Sequence, residues 1–466
     1  MSNARLMVLP VMLGLWGAGI VSGPAIAQGL EKGARQTVAP ERLRLSNGIE
    51  VHLIRRTNLP LVQVQLLLTP GDLLKARPGV AQFTMSLIRK GAGSRDATQL
   101  ADAIDGMGAD LDTWASRDEL GASISLLKSE LASGMMILSD IVQRPRLTSD
   151  EFERYRTQTR ARLSSALDDP NAVLELAANT AIMGEHPAGQ SLGLKSLASL
   201  KPDQVKDFHT RSFSPRHARF VVVGDATPAE LMLMFERCFG QWRGPEATAV
   251  AVPEPRHKPR VVHLVDMNTT QSFIAVGHVA PPRNTPDVDA IRVMNFILGG
   301  DFSSRLNQSI RDRQGLAYGA HSTFTLGKHT GTFMATANTK LASTQAVIDA
   351  IFAEIQRLHQ EPVNPNELSD AHAYLAGSFP MRFETNADLA RELRFSLLHQ
   401  LPWPDPQTYQ ARIRAVSADH VMAAARQWLR PEDMQIIVVG PAKEIEADLK
   451  RFGPVQRHAK QSLIES

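Results

Sequence analysis

Phe220-Val221-Val222-Val223-Gly224-Asp225 and Gln435-Ile436-Ile437-Val438-Val439-Gly440-Pro441 follow one pattern at two places in this chain. Each is a short apolar run without polar alternation, closed by glycine. That reads as a strand buried on both faces and ending in a turn. Gly224 and Gly440 stand 216 residues apart, and what flanks them also repeats. A helix-like segment and a proline break precede each run, at Phe213-Ser214-Pro215-Arg216 and at Trp428-Leu429-Arg430-Pro431. A helix start follows each, at Thr227-Pro228-Ala229-Glu230 and at Ala442-Lys443-Glu444. In the first start Thr227 takes the N-cap position and Pro228 the first helical one.

Between the copies, residues 244–259 hold prolines at 245, 253, 255 and 259 and no sustained helical period. This predicts an extended linker between two similar domains, 28–243 and 260–450, with a polar tail, 451–466, that frays. In the first half, Leu43–Arg55 and Leu61–Leu68 are strand-like, and Asn47-Gly48 turns a small hairpin within the first. Val80–Lys90 and Ala97–Met107 have helical spacing. Ala109–Leu127 reads as two strands around the polar Arg117-Asp118-Glu119, and helices follow near 129–144, 149–167 and 171–184. The second half repeats the order. Strands come at Val261–Asp266, Ser272–His278, Leu316–Thr325 and Thr332–Ala337, with helices near 287–298, 304–312, 342–359, 364–377 and 385–399. Strands grouped with long helical runs predict an α+β fold: two homologous domains, each a mainly antiparallel sheet covered by helices.

The 466 residues allow two to four domains. With 43% hydrophobic and 21% charged residues, the chain is neither disordered nor fibrous. Lys+Arg 51 against Asp+Glu 48 leaves only +3, and no run of five basic residues occurs, which argues against a nucleic-acid partner. The single cysteine, Cys238, excludes an intrachain disulfide, a CxxC redox site and a cysteine zinc cluster, and it reads as a buried free thiol. Residues 1–27 have Arg5, an apolar run from Leu6 to about Val21, and Ala25-Ile26-Ala27 before Gln28. That is the layout of a signal peptide cleaved after Ala27, with an N-terminal membrane anchor as the alternative. No later stretch is long and apolar enough to span a bilayer, so the mature form is expected to be free of the membrane. Export without disulfides points to a bacterial periplasm.

Among 14 histidines none stands in His-x-x-Glu-His, His-Glu-x-x-His or His-x-x-x-His. The Gly-x-Ser-x-Gly elbow and the phosphate-cradling Gly-x-x-x-x-Gly-Lys-Ser/Thr loop are also missing. The residues alone make a poor case for independent catalysis.

Leu43-Arg44-Leu45-Ser46-Asn47-Gly48-Ile49 resembles the opening strand of the pitrilysin/insulysin (insulinase-like, inverzincin) metallopeptidases. Gly79-Val80-Ala81-Gln82-Phe83-Thr84-Met85-Ser86-Leu87-Ile88-Arg89-Lys90-Gly91-Ala92 resembles that family's zinc helix, which carries the inverted His-x-x-Glu-His signature. Matched by position, Gln82 stands for the first histidine, Met85 for the catalytic glutamate and Ser86 for the second histidine. The third ligand, a glutamate on a later helix, falls near Arg162. The resemblance therefore implies a degenerate site with no metal bound by this chain. Read by spacing alone, 79–91 is an amphipathic helix with Val80, Phe83, Leu87 and Ile88 on its core face.

The second half carries the fuller match. Leu298-Gly299-Gly300-Asp301-Phe302-Ser303-Ser304-Arg305-Leu306 leads into Arg311-Asp312-Arg313-Gln314-Gly315-Leu316-Ala317-Tyr318. This resembles the C-terminal block whose Arg and Tyr complete the family's active site, and Arg311 and Tyr318 keep its spacing of seven. Arg311 is expected at a helix end, Gly315 at a left-handed stop and Tyr318 at a strand start. A guanidinium there could hold substrate carbonyls, and a phenol could donate to a developing oxyanion. Ser304 and Arg305 read as helix-start and packing residues.

The resemblance implies half of a clamshell chamber. It also implies likeness to the non-catalytic partner in bacterial heterodimeric members and in mitochondrial processing peptidase. The expected cofactor is then Zn²⁺ in a homologous zinc-bearing subunit, with none in this chain. The expected substrate is an unfolded peptide, captured by edge-strand pairing as the family implies. Two alternatives remain: a non-enzymatic scaffold or peptide-binding protein, as relatives in respiratory complexes became, and an active enzyme with an unorthodox metal site.

Overall fold

The computed structural model describes residues 39–465, except 72, 247–250 and 405. The expected signal peptide, 1–27, lies outside the described residues. Residues 39–465 hold two six-stranded sheets. The first takes β1 (Glu41–Arg44), β2 (Glu50–Arg55), β3 (Leu61–Leu68), β4 (Asp110–Ala115), β5 (Leu120–Leu127) and β6 (Ala218–Gly224), in the order β1-β2-β6-β3-β5-β4. The second takes β7 (Val262–Asp266), β8 (Gln271–Ala280), β9 (Ala317–Leu326), β10 (Gly331–Lys340), β11 (Gln435–Gly440) and β12 (Val455–Ala459), in the order β12-β7-β11-β8-β10-β9. Every pair in the first sheet is antiparallel except β2 with β6, and its counterpart β7 with β11 is parallel too. The α+β expectation of two similar, mainly antiparallel domains holds.

Four helices bear on the site: α1 (Val80–Leu87), α2 (Ser149–Ala166), α3 (Pro170–Met183) and α4 (Asn386–Leu398). Two of them explain why β6 and β11 lack alternation. Phe220 and Val222 face the first half's own core, with Ile124, Phe235 and Phe239. Val221 and Val223 face the other way, onto Leu389, Ala390 and Leu393 of α4, which belongs to the second half. In β11, Ile436 and Val438 join the second half's core, while Ile437 and Val439 meet Val173, Leu174 and Ala177 of α3, from the first half. Each sheet is thus covered on one face by its own helices and on the other by a helix lent from its sister. A period-two strand with both faces apolar needs two covers, and the exchange supplies the second. Each fully buried Leu, Ile or Val at these seams contributes roughly 1.5–3 kcal/mol. The described residues from 39 to 465 accordingly belong to one compact unit.

The capping expected at Thr227 is present, since its hydroxyl accepts from the Glu230 backbone N–H and the Glu230 carboxylate accepts from the Thr227 backbone N–H. The linker is tied down where it is described. His186 Nε2 donates to the Pro253 carbonyl at 2.8 Å and Lys258 Nζ donates to the Ala181 carbonyl at 3.0 Å. Cys238 is half-buried rather than buried, and desolvation raises its thiol pKa, as befits a packing residue.

The tail departs from expectation. Residues 455–459 pair in parallel with β7 as an edge strand, and Ile464 is buried against α3 and its neighbours. Its polar composition reflects an edge with one wet face. Arg457 bonds Asp266 at 3.1 Å and Lys460 donates to the Leu167 carbonyl at 2.8 Å, which hold it in place.

Two histidines set an acid limit on stability. Burial lowers the pKa of His278 on β8 to about 4, and burial does the same to His399 after α4. Between about pH 6.5 and 4 the unfolded chain binds these protons and the folded chain does not, so stability falls as pH falls through that window. The loss expected by pH 4 is up to about 3 kcal/mol per histidine. Urea unfolding at pH 7 and pH 4.5 measures it, and replacing both with Asn or Gln should flatten that part of the profile.

Candidate functional site

α1 presents Val80, Phe83, Met85 and Leu87 inward, leaves Gln82 exposed, and half-buries Ser86. Phe83 packs at a tilt against Phe152 and edge-to-face against Tyr155 of α2, with ring centroids 5.2 and 4.7 Å apart, which fixes α1 beside α2. Thr113 Oγ1 donates to the Met85 carbonyl at 2.7 Å and ties α1 to the edge strand β4. Gln82, Met85, Ser86 and Arg162 then line one cavity of about 800 Å³. The four positions that the sequence matched to a zinc site are therefore gathered in space.

The side chains present do not fit zinc. Gln and Ser offer neutral oxygens, Met a thioether on a largely buried side chain, and Arg162 a positive charge, whereas zinc takes His, Cys or carboxylate. Among the described residues no group of three His, Cys, Asp or Glu is placed to hold a metal ion.

The second block builds a different surface. The helix at Val288–Asn295 opens into wide turns over Phe296–Gly300, and Asn307–Arg313 is also wound with wide turns. At Gly299 a Cβ would come within 2.6 Å of the Ser322 backbone nitrogen, so β9 closes on the chain only over a glycine. Arg305 is 4% exposed and forks onto Glu367 at 2.8 and 2.7 Å, a packing role as expected. Asn307 Oδ1 accepts from the Ala320 backbone N–H at 3.1 Å and pins this helix to β9. Gly315 has φ +61, so the chain turns left-handed and enters β9 just before Tyr318.

That geometry brings Arg311 and Tyr318 together. The Arg311 guanidinium lies 5.5 Å from the Tyr318 ring centroid and 4.1 Å from that of Phe302. Phe302 is 62% and Tyr318 85% exposed, so two solvent-facing rings flank one cation. Asp312, at 4.0 Å, is a weak ionic neighbour, so the guanidinium keeps donors for another group. Sequence reasoning assigns Phe302 no role. Its signal was an aromatic inside a Gly-Asp-Phe-Ser turn with no apolar run to bury it.

Tyr318 lines a cavity of about 390 Å³ with Glu175 of α3 and His321 of β9. Glu175 and Met334 also line a neighbouring cavity between the halves, of about 670 Å³, and that one shares Ser116, Arg117 and Leu163 with the cavity beside α1. A continuous concave wall thus runs from Gln82, past Arg117, to Tyr318.

A duplicated α+β chain of two sheets, with the helix matched to a zinc helix in one half and the Arg/Tyr block in the other, points to a pitrilysin-type fold. Family models bear this out: Insulinase (Peptidase family M16) matches residues 62–194, and Peptidase M16 inactive domain matches residues 199–375. The chain belongs to peptidase family M16. It is 24% identical over 403 residues to an uncharacterized zinc protease of Mycobacterium tuberculosis, covering 84% of this chain and 91% of that one. It is 22% identical over 409 residues to the non-peptidase homolog YmxG of Helicobacter pylori, covering 85% and 94%. A crystal structure of a peptidase M16 inactive domain from Pseudomonas fluorescens superposes with a TM-score of 0.81 at 22% identity, over 87% of this chain and 98% of that one.

Proposed function

We propose that this chain is the zinc-free subunit of a periplasmic heterodimeric M16 peptidase that cleaves unfolded peptides. The observation that carries the reading is the contrast between the halves: the four positions matched to the family's zinc site hold Gln82, Met85, Ser86 and Arg162, while a half-buried Arg311 stands beside an exposed Tyr318. A homologous partner would bring the zinc and its activated water. In this chain, Arg311 would hold a substrate carbonyl through its free donors, and the Tyr318 hydroxyl would donate to the oxyanion as it develops. The edge strands β4 and β9 leave backbone groups to pair with an extended peptide.

The name of the Helicobacter pylori relative, a non-peptidase homolog, favours a second reading, a scaffold or peptide-binding protein without a catalytic role. Copurification from the native host with metal analysis separates the two. The heterodimer predicts a homologous chain with an intact His-x-x-Glu-His helix, zinc stoichiometric with that chain alone, and cleavage of an unfolded peptide only when both chains are mixed. Cleavage by the zinc-bearing chain that is indifferent to this one, or zinc bound here, overturns the proposal.

A further inference from the structure

The cavity beside α1 is lined by charge of one sign. Its lining includes three arginines, Arg77, Arg117 and Arg162, and no aspartate or glutamate. Each arginine is exposed, and the hydrogen bonds recorded for each go to neutral atoms. Arg77 donates to the Ser199 hydroxyl, Arg117 to the Asn179 side-chain oxygen, and Arg162 to Thr159 Oγ1 at 3.0 Å, while Arg162 also lies over the Tyr155 ring. Asp118 is next to Arg117 in sequence, but its Oδ2 accepts the Lys328 backbone N–H at 2.8 Å. Partial desolvation pulls the Arg117 pKa below the usual arginine value, against an opposing pull from Asp118. Elsewhere many arginines do find carboxylates, as Arg305 does with Glu367 and Arg313 with Glu354. The acidic groups of the concave wall, Asp118 and Glu175, line the neighbouring cavity toward Tyr318. The wall is therefore positive beside α1, and Arg117 sits where that cavity meets the neighbouring one lined by Asp118 and Glu175.

We infer that the vacated metal site is a carboxylate-binding subsite for peptides, in which Arg117 and Arg162, assisted by Arg77, take a peptide carboxylate where the family places a cation. The carboxylate comes either from the chain terminus or from an acidic side chain. Arginine forks match both in geometry, and the wall leads from them toward Tyr318. The inference extends the peptide-handling role proposed above, but the subsite binds without the zinc-bearing partner.

Calorimetric titration of the mature chain alone tests it, using an unstructured twelve-residue peptide free of acidic side chains. The free acid is expected to bind about tenfold more tightly than its C-terminal amide at low salt, and the preference should shrink as salt rises. An amide carrying one Asp identifies the source. Recovery of affinity assigns the subsite to side chains, and no recovery with a preserved free-acid preference assigns it to the terminus. Arg117→Gln combined with Arg162→Gln should abolish whichever preference is seen, with folding checked by thermal melting. If free acid, amide and Asp-bearing amide bind alike, the inference is overturned, and this arm needs no protein variant. A preference that survives in the folded double variant overturns it as well. Because cleavage is not measured, failure here leaves the role of Arg311 and Tyr318 intact, and failure there leaves this subsite intact.

Discussion

Tyr318→Phe in the reconstituted two-chain enzyme is expected to lower kcat by roughly 10²–10³-fold, the range for loss of one oxyanion donor, with the complex still assembled. Tyr318 is 85% exposed, so removing its hydroxyl leaves no cavity and no orphaned core group, and the melting temperature should hardly move. Arg311→Ala should cut kcat/KM by about 10–100-fold, as expected for losing a charge-assisted contact to substrate. Arg311→Lys separates charge from geometry. A lysine keeps the charge but loses the planar fork and the stacking against Phe302 and Tyr318, so partial activity is expected. Steady-state rates equal to wild type for both Tyr318→Phe and Arg311→Ala would remove this pair from the mechanism and leave the scaffold reading.

The sequence was most legible where periodicity and caps act locally. The hairpin at Asn47-Gly48, the capped helix after Thr227 and the order of strands and helices in each half all follow from short-range signals. The apolar runs at 220–223 and 436–439 announced two-sided burial, but not what covers the second face. That cover comes from a helix more than 160 residues away in sequence, beyond any local pattern. The tail is ordered, not frayed, for a related reason: polar residues describe an edge strand as well as a frayed end, and only the open side of β7 decides between them. At the site, the family resemblance of the 298–318 block brought out Arg311 and Tyr318, but charge did not bring out the arginine-lined cavity, because Arg77, Arg117 and Arg162 come from separate segments. Gln82, Met85 and Ser86 were visible only as departures from a pattern.

Arg117-Asp118-Glu119 read as a polar turn, yet Glu119 is buried and meets Arg394 of α4 across the seam between the halves. Trp114 Nε1 donates to Glu119 Oε1 at 2.9 Å, Arg394 Nε donates to Gln65 Oε1 at 3.1 Å, and the guanidinium lies 4.6 Å from the Trp114 ring centroid. Glu119 Oε2 has no hydrogen-bond partner, so the network is incompletely satisfied and depends on its ionic contact. Glu119→Ala is therefore expected to destabilise the chain by about 3–5 kcal/mol, because it strands a guanidinium at the seam. Arg394→Met should cost a similar amount by stranding the carboxylate. The double replacement Glu119→Leu with Arg394→Met removes both charges and fills the space with apolar groups, so it should recover most of the loss and could exceed wild type. Urea midpoints for the four proteins close the cycle. Strongly non-additive losses would identify the pair as the electrostatic clasp by which α4 is held on the first sheet. Additive losses would mean that Leu389, Ala390 and Leu393 hold α4 by packing alone and that the charges are incidental to it.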